Sequence, residues 1–306
     1  MSTPHSGMPA GDDGTADLLP TADATPKSQW QLFRGRFLRH KAAMFGLVVL
    51  VILLVACFGA TWIAPAPKGQ QNLLLEPGGP TWDNLFGVDQ LGRDYLSEVL
   101  YAGQVSLRIG LAVALISTLI GSITGALAGY FGGWIDGALM RLTDLFLIIP
   151  QIALLAIALK KFGSSPSVIT LVLAGLFWMG IARVVRSQVL VLKEREFVEA
   201  ARAAGASDWR IIGRHILPNC IGPITVNATL AVALAIVSES TLSFLGFGIQ
   251  RPDTSWGNML SDARGFVGTD LSFLIYFPGL MLLLVTLAIN FIGDGLRDAL
   301  DPQGDR

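Results

Sequence analysis

The sequence predicts an all-α, polytopic membrane protein with six transmembrane helices. Of its 306 residues, 52% are hydrophobic and 15% charged, where soluble domains carry roughly 25% charge. The charges also leave long gaps. An ionised side chain at the bilayer centre costs about 2.5–3.5 kcal/mol on insertion scales. An uncharged run of about 20 residues, enough to cross about 30 Å of hydrocarbon, therefore marks a span. The rest of the composition excludes several functions. The 22 basic and 23 acidic side chains nearly cancel, which speaks against nucleic acid as a partner. Cys57 and Cys220 are too few for a disulfide framework or a paired-cysteine zinc site. No lysine follows a glycine, so there is no Gly-x-x-x-x-Gly-Lys-Ser/Thr loop to cradle phosphates, and the chain is not expected to hydrolyse ATP by itself.

Residues 1–28, acidic and rich in Asp, Thr, Pro, Gly and Ala, read as a disordered cytoplasmic tail, and residues 29–302 as one six-span domain followed by a 303–306 tail. Lys27, Arg34, Arg36, Arg39 and Lys41 precede the first apolar run without an intervening acid, which puts this flank in the cytoplasm. The first span, near 42–63, follows an acidic terminus and is longer than a signal core, so it reads as retained. A long outer loop, 65–103, follows. The second span, near 105–130, repeats Gly121, Gly125 and Gly129 at four-residue spacing, a small face for a neighbouring helix or a partner subunit. The third, near 138–159, is the weakest: only 15 uncharged residues separate Asp144 from Lys160, with Pro150 among them. Asp144 is expected to pair with Arg141 at i−3. Spans near 164–190, 219–247 and 271–293 complete the set. Six crossings return both termini to the cytoplasm and place 15 of the 22 basic residues there; Lys160 and Lys161 fall outside, where they can snorkel.

The longest inner loop contains Glu199-Ala200-Ala201-Arg202-Ala203-Ala204-Gly205 and, after Ser207-Asp208, Ile211 to Asn219. Alanine favours helix, Gly205 suits a left-handed position just past a helix end, and Ser207 or Asp208 suits the cap of a second helix. The alanines offer a surface that another protein can approach closely; periodicity alone fits a solvated connector equally well. Here the chain resembles the permease subunits of binding-protein-dependent ABC importers, whose signature is Glu-Ala-Ala, three residues, Gly, nine residues, Ile-x-Leu-Pro. Glu199, Ala200, Ala201, Gly205, Leu217 and Pro218 match in register, while His215 stands at the isoleucine position, with Ile216 displaced by one. The segments Leu91–Asp94, Ser106–Gly110, Lys193–Val198, Leu242–Gly246, Pro252, Trp256–Leu260 and Gly293–Pro302 extend the resemblance to the C-type permease of oligopeptide, dipeptide and nickel importers.

That resemblance implies a type I ABC importer permease fold and a coupling role for residues 196–218. It implies half of a pore shared with a homologous B-type permease, in a bacterial inner membrane. It also implies an extracytoplasmic peptide-binding protein, and two ATPase subunits, or one double ATPase, that hold ATP and Mg while this chain binds no cofactor. Peptide and nickel remain rival solutes, and a passive channel is the competing reading outside the importers. An intramembrane protease lacks a base near its serines. Glu239 lies in the fifth span, with the hydroxyls of Ser240 and Ser243 beside it and at one turn's distance. Two roles fit it, a place on the transport pathway or a structural pair with another subunit.

Overall fold

The computed structural model describes residues 29–72 and 74–300; the expected tails at 1–28 and 303–306 lie outside the described residues. Twelve α-helices are described, with no β-strand among these residues. Helix α1, Gln29–Arg39, is basic and leads into α2, Lys41–Phe58, the first apolar helix. The one-turn α3, Ala60–Ile63, opens the long 64–94 loop. Helix α4 runs 37 residues, Tyr95–Phe131, or about 55 Å at 1.5 Å per residue, well beyond the hydrocarbon thickness. It starts ten residues before the expected span because Asp94 caps it, accepting the Ser97 N–H at 2.8 Å. A charge gap marks where a helix meets lipid; a cap marks where it begins.

The expected third span is not one helix. It divides into α5, Gly133–Ile148, and α6, Gln151–Phe162, bent by 87°. Pro150 supplies no N–H and drives Ile149 out of helical backbone, to φ −76° and ψ 133°. The pair still carries the chain from one face to the other. Helix α5 begins beside the end of α4, whereas Ser164, just past α6, donates to the Phe247 carbonyl at 3.4 Å at the opposite face. Asp144 also departs from expectation. It pairs with Arg183 of α7, Pro166–Leu192, rather than with Arg141, and Asp136 receives the Arg186 guanidinium on both oxygens. These pairs join α5 to α7, where the i−3 rule sees only one helix.

The glycine face of α4 packs within this chain. A Cβ on Gly121 would stand 2.6 Å from the Trp178 carbonyl oxygen, on Gly125 2.4 Å from that of Ala182, and on Gly129 2.8 Å from Val189 Cβ. Helices α4 and α7 thus meet backbone to backbone. Helix α10, Ile221–Phe244, and α12, Phe273–Leu300, complete the bundle with α2. Gly46 of α2 rests on Ala288 and Phe291 of α12. The buried apolar residues form three clusters. One, around Trp256 and Leu107, lies toward the face carrying the 64–94 loop; a second packs Leu173 and Met179 of α7 with Leu159 and Ile249; the third, with Ile211 and Ile216, lies toward the opposite face. On this last face lie residues 193–220, α1 and the end of α12, joined by His40 to Asp298 at 3.4 Å and by Gly222 beside Leu300.

Candidate functional site

The segment after α7 folds as helix, stop and helix. Helix α8, Glu196–Ala203, places Glu196 and Glu199 in its first turn, where carboxylates meet the positive end of the helix dipole. It is stopped by Gly205. With φ +78°, Gly205 donates its N–H to the Arg202 carbonyl and Ala206 donates to the Ala201 carbonyl, each at 3.0 Å. This is the paired-bond termination that favours glycine just past a helix end. Ser207 then stands at the N-cap of α9, Asp208–Ile211, through its backbone carbonyl, which accepts the Ile211 N–H at 3.0 Å. Its side chain makes no capping bond.

A π-helical turn, Ile212–Ile216, and a 3-10 turn, Leu217–Cys220, lead directly into α10. The Leu217 N–H reaches the Ile212 carbonyl, five residues back, as a widened π turn requires. In this turn Ile216 is fully buried, together with Ile211, Ile212 and Cys220, while His215 is half-buried. The isoleucine displaced by one position in the sequence is therefore the one that fills the core.

This segment is fastened to the ends of the long helices. Val198 is fully buried among Val185, Val189 and Ala126. Tyr130 of α4 donates its hydroxyl to Asp208 at 2.7 Å, and Phe131 meets Trp209 edge-on with ring centroids 6.2 Å apart. The Tyr130 hydroxyl also faces Arg202 and holds its guanidinium protonated above the usual range. Among the residues that remain outward are Glu199, Ala200, Ala203, Ala204, Gly205 and Trp209, the last 67% exposed. The six signature residues divide accordingly. Glu199, Ala200, Gly205 and Pro218 are exposed, whereas Ala201 and Leu217 are half-buried against the core. Tyr130 and Asp208 were not readable as partners: 78 residues separate them and neither sits in a repeating pattern.

Glu239 lies five residues before the end of α10 and is fully buried. The hydroxyls of Ser243 and Ser255 donate to its Oε1 at 2.6 and 2.7 Å, and Ser240 reaches Oε2 at 3.4 Å. No basic group pairs with it among the described residues. Ser240 and Ser243 are thus brought together with it, and Ser255, 16 residues further on, is the member that sequence spacing missed.

The far face is also built. Half-buried Arg93 binds Asp89 through Nε at 2.7 Å and Glu98 through Nη1 at 2.9 Å. Beside them a small cleft of about 90 Å³ opens between Arg93, Tyr95, Arg251 and Asp262. No cluster of three potential metal ligands occurs among the described residues.

Comparison with known proteins gives two matching family models. Residues 107–304 match the binding-protein-dependent transport system inner membrane component, and residues 28–77 match the N-terminal TM domain of oligopeptide transport permease C. A putative peptide transport system permease protein of Brucella abortus biovar 1 (strain 9-941) is 42% identical over 288 residues, covering 93% of this chain and 96% of its own. The oligopeptide transport system permease protein OppC of Haemophilus influenzae is 39% identical over 291 residues, covering 94% and 93%. A solved structure of the MetNI methionine ABC transporter in an inward-facing conformation shares the fold. Its TM-score is 0.52 at 21% identity, covering 66% of this chain and 96% of that one.

Proposed function

The chain belongs to the binding-protein-dependent transport inner membrane components, in the branch of the oligopeptide C-type permeases, and from that premise we propose how it works. It is a multi-pass inner-membrane permease subunit of an oligopeptide ABC importer, one half of a pore completed by a B-type permease. Residues 196–218 are its handle. Two ATPase subunits, or one double ATPase, bind ATP and Mg and dock on the exposed strip of Ala200, Ala203, Ala204, Gly205 and Trp209, with Glu199 at its edge. The face carrying this strip, α1 and the end of α12 is the cytoplasmic one, as the excess of basic residues on it supports. The opposite face, with the Arg93 cluster and the 64–94 loop, receives peptide from an extracytoplasmic binding protein.

The observation that carries this reading is the division of the signature segment. Val198, Ile211, Ile212 and Ile216 are buried against the ends of α4 and α7, whereas Glu199, Ala200, Ala203, Ala204, Gly205 and Trp209 face water. A partner that grips the strip moves α10 with it, because the 3-10 turn holding Leu217 and Pro218 runs straight into that helix. A pore switched in this way needs a partner that binds its two states unequally.

Glu199→Lys tests the handle. The substitution reverses an exposed charge in the first turn of α8 and costs only about 0.3–1 kcal/mol of local helix stability, so the permease is expected to accumulate normally. Uptake of a labelled peptide and co-purification of the ATPase are both expected to fall by about tenfold, the equivalent of about 1.4 kcal/mol in docking. Unchanged co-purification together with unchanged uptake would remove Glu199 from the docking surface.

A further inference from the structure

We infer that Glu239 is a positioning residue: by accepting the Ser243 and Ser255 hydroxyls it fastens the short helix α11, Trp256–Asp262, to the outer end of α10. The far face of the permease then moves with the helix whose other end is the coupling segment. This inference rests on the importer reading above and adds to it the joint through which the motion leaves the membrane.

The buried link between the two helices runs through one hydroxyl, that of Ser255, and at the exposed edge Ser261 Oγ of α11 donates to the Phe244 carbonyl at 3.2 Å. Ser255 is the N-cap of α11, and its Oγ accepts the Asn258 N–H at 3.2 Å while donating its own hydrogen to Glu239 at 2.7 Å. The donation to Glu239 sets the direction of the lone pairs that cap α11. The surfaces between the helices leave no room for slack. A Cβ on Gly257 would stand 2.5 Å from Ser240 Cα, and one on Gly248 1.8 Å from Ser243 Oγ. Fully buried Trp256 ties α11 to α4, its N–H donating to Ser106 Oγ at 3.2 Å and its indole N–H to the Val99 carbonyl at 2.9 Å. Asn258 Nδ2 donates to the Ile249 carbonyl at 2.9 Å and closes the loop that returns from α10.

The carboxylate is held by hydroxyls alone, so its accepting oxygens matter more than a match to any cation. Both close hydroxyls use Oε1. A glutamine can present the same oxygen, whereas an apolar side chain leaves buried hydroxyls without an acceptor. Helix α10 runs its 24 residues without a break, about 36 Å of stiff rod. A displacement at residues 196–220 is carried to the 255–262 segment most tightly while this buried joint holds.

The test uses the whole complex of both permeases, ATPases and receptor in proteoliposomes, with Glu239→Gln, Glu239→Leu and Ser255→Ala. Two quantities are read: peptide taken up per ATP hydrolysed, and the rate at which a maleimide labels Leu260→Cys, a half-buried position in α11, the native Cys57 and Cys220 being buried. Glu239→Leu and Ser255→Ala are expected to lower peptide per ATP by about tenfold and to raise labelling by a similar factor, consistent with the loss of one or two buried hydrogen bonds. Glu239→Gln is expected to stay within about threefold of the parent in both, since the oxygen that Ser243 and Ser255 use is retained. If Gln fails as badly as Leu, the negative charge is what counts and the joint is not the role. Parental values in both readouts for Ser255→Ala also overturn it, and this variant decides alone if Glu239→Leu does not assemble. A parent complex that hydrolyses ATP without importing peptide overturns the importer reading instead, and the labelling arm still reports on the joint.

Discussion

Gly205→Pro is expected to abolish peptide uptake while leaving the six-span bundle folded. Proline fixes φ near −65° and carries no N–H, whereas position 205 holds φ +78° and donates to Arg202. Both bonds that end α8 are therefore lost, and the chain leaves that helix in another direction, displacing Ala203, Ala204 and Trp209 from one strip. The local cost is about 3 kcal/mol, which corresponds to a loss of roughly a hundredfold in docking. Gly205→Ala separates strain from shape. A Cβ there meets nothing within 4 Å, so alanine bears only the left-handed backbone penalty of about 1–2 kcal/mol and is expected to lower uptake by about tenfold. Equal uptake by the parent and the proline variant, measured at equal membrane abundance, would mean that the shape of this turn does not matter.

Gly125→Leu is expected to act on the bundle itself. The Cβ position on Gly125 lies 2.4 Å from the Ala182 carbonyl oxygen, 2.9 Å from Val185 Cβ and 3.0 Å from the Arg186 nitrogen. Two of those three atoms are backbone and cannot rotate away, so α4 and α7 must separate. Overpacking of this kind costs about 1–3 kcal/mol for small additions and more when backbone blocks the space. The separation also pulls Arg186 from Asp136 and Val189 from Val198, and with them the support beneath α8. The variant is expected to accumulate poorly and to lose its folded form at a temperature lower by several degrees, an order of magnitude set by about 2–4 °C per kcal/mol for chains of this size. Gly137→Ala is the matched control, since a Cβ there meets nothing within 4 Å. A thermal scan of the purified complex that places all three proteins together would contradict the close packing.

The sequence showed the bundle more clearly than its joints. Charge gaps reveal apolar helices because lipid excludes ions whatever the helices pack against, and five such helices and one bent pair stand in the structure. The bend at Pro150 was visible as a residue but not as an 87° turn, since the angle depends on what α5 and α6 pack against. Four-residue spacing exposed the glycine face of α4, yet nothing local to that helix says that α7 covers it. Asp144 shows the same limit: Arg141 was near in sequence, but Arg183 was near in space. Gly205 was legible because its role is fulfilled within six residues. Glu239 was legible as a buried acid beside two serines of its own helix. Its contact with Ser255 was not, because it depends on how residues 245–255 fold back.

What touches the outward strip of α8 decides the coupling role most directly. A photo-crosslinking amino acid placed at Ala203, which is exposed and on this strip, measures that contact in membranes containing the full complex. The predicted result is a crosslink between the permease and an ATPase subunit, its yield changing when nucleotide is added. Crosslinks only to lipid, to the B-type permease or to a binding protein on the outer surface would contradict it.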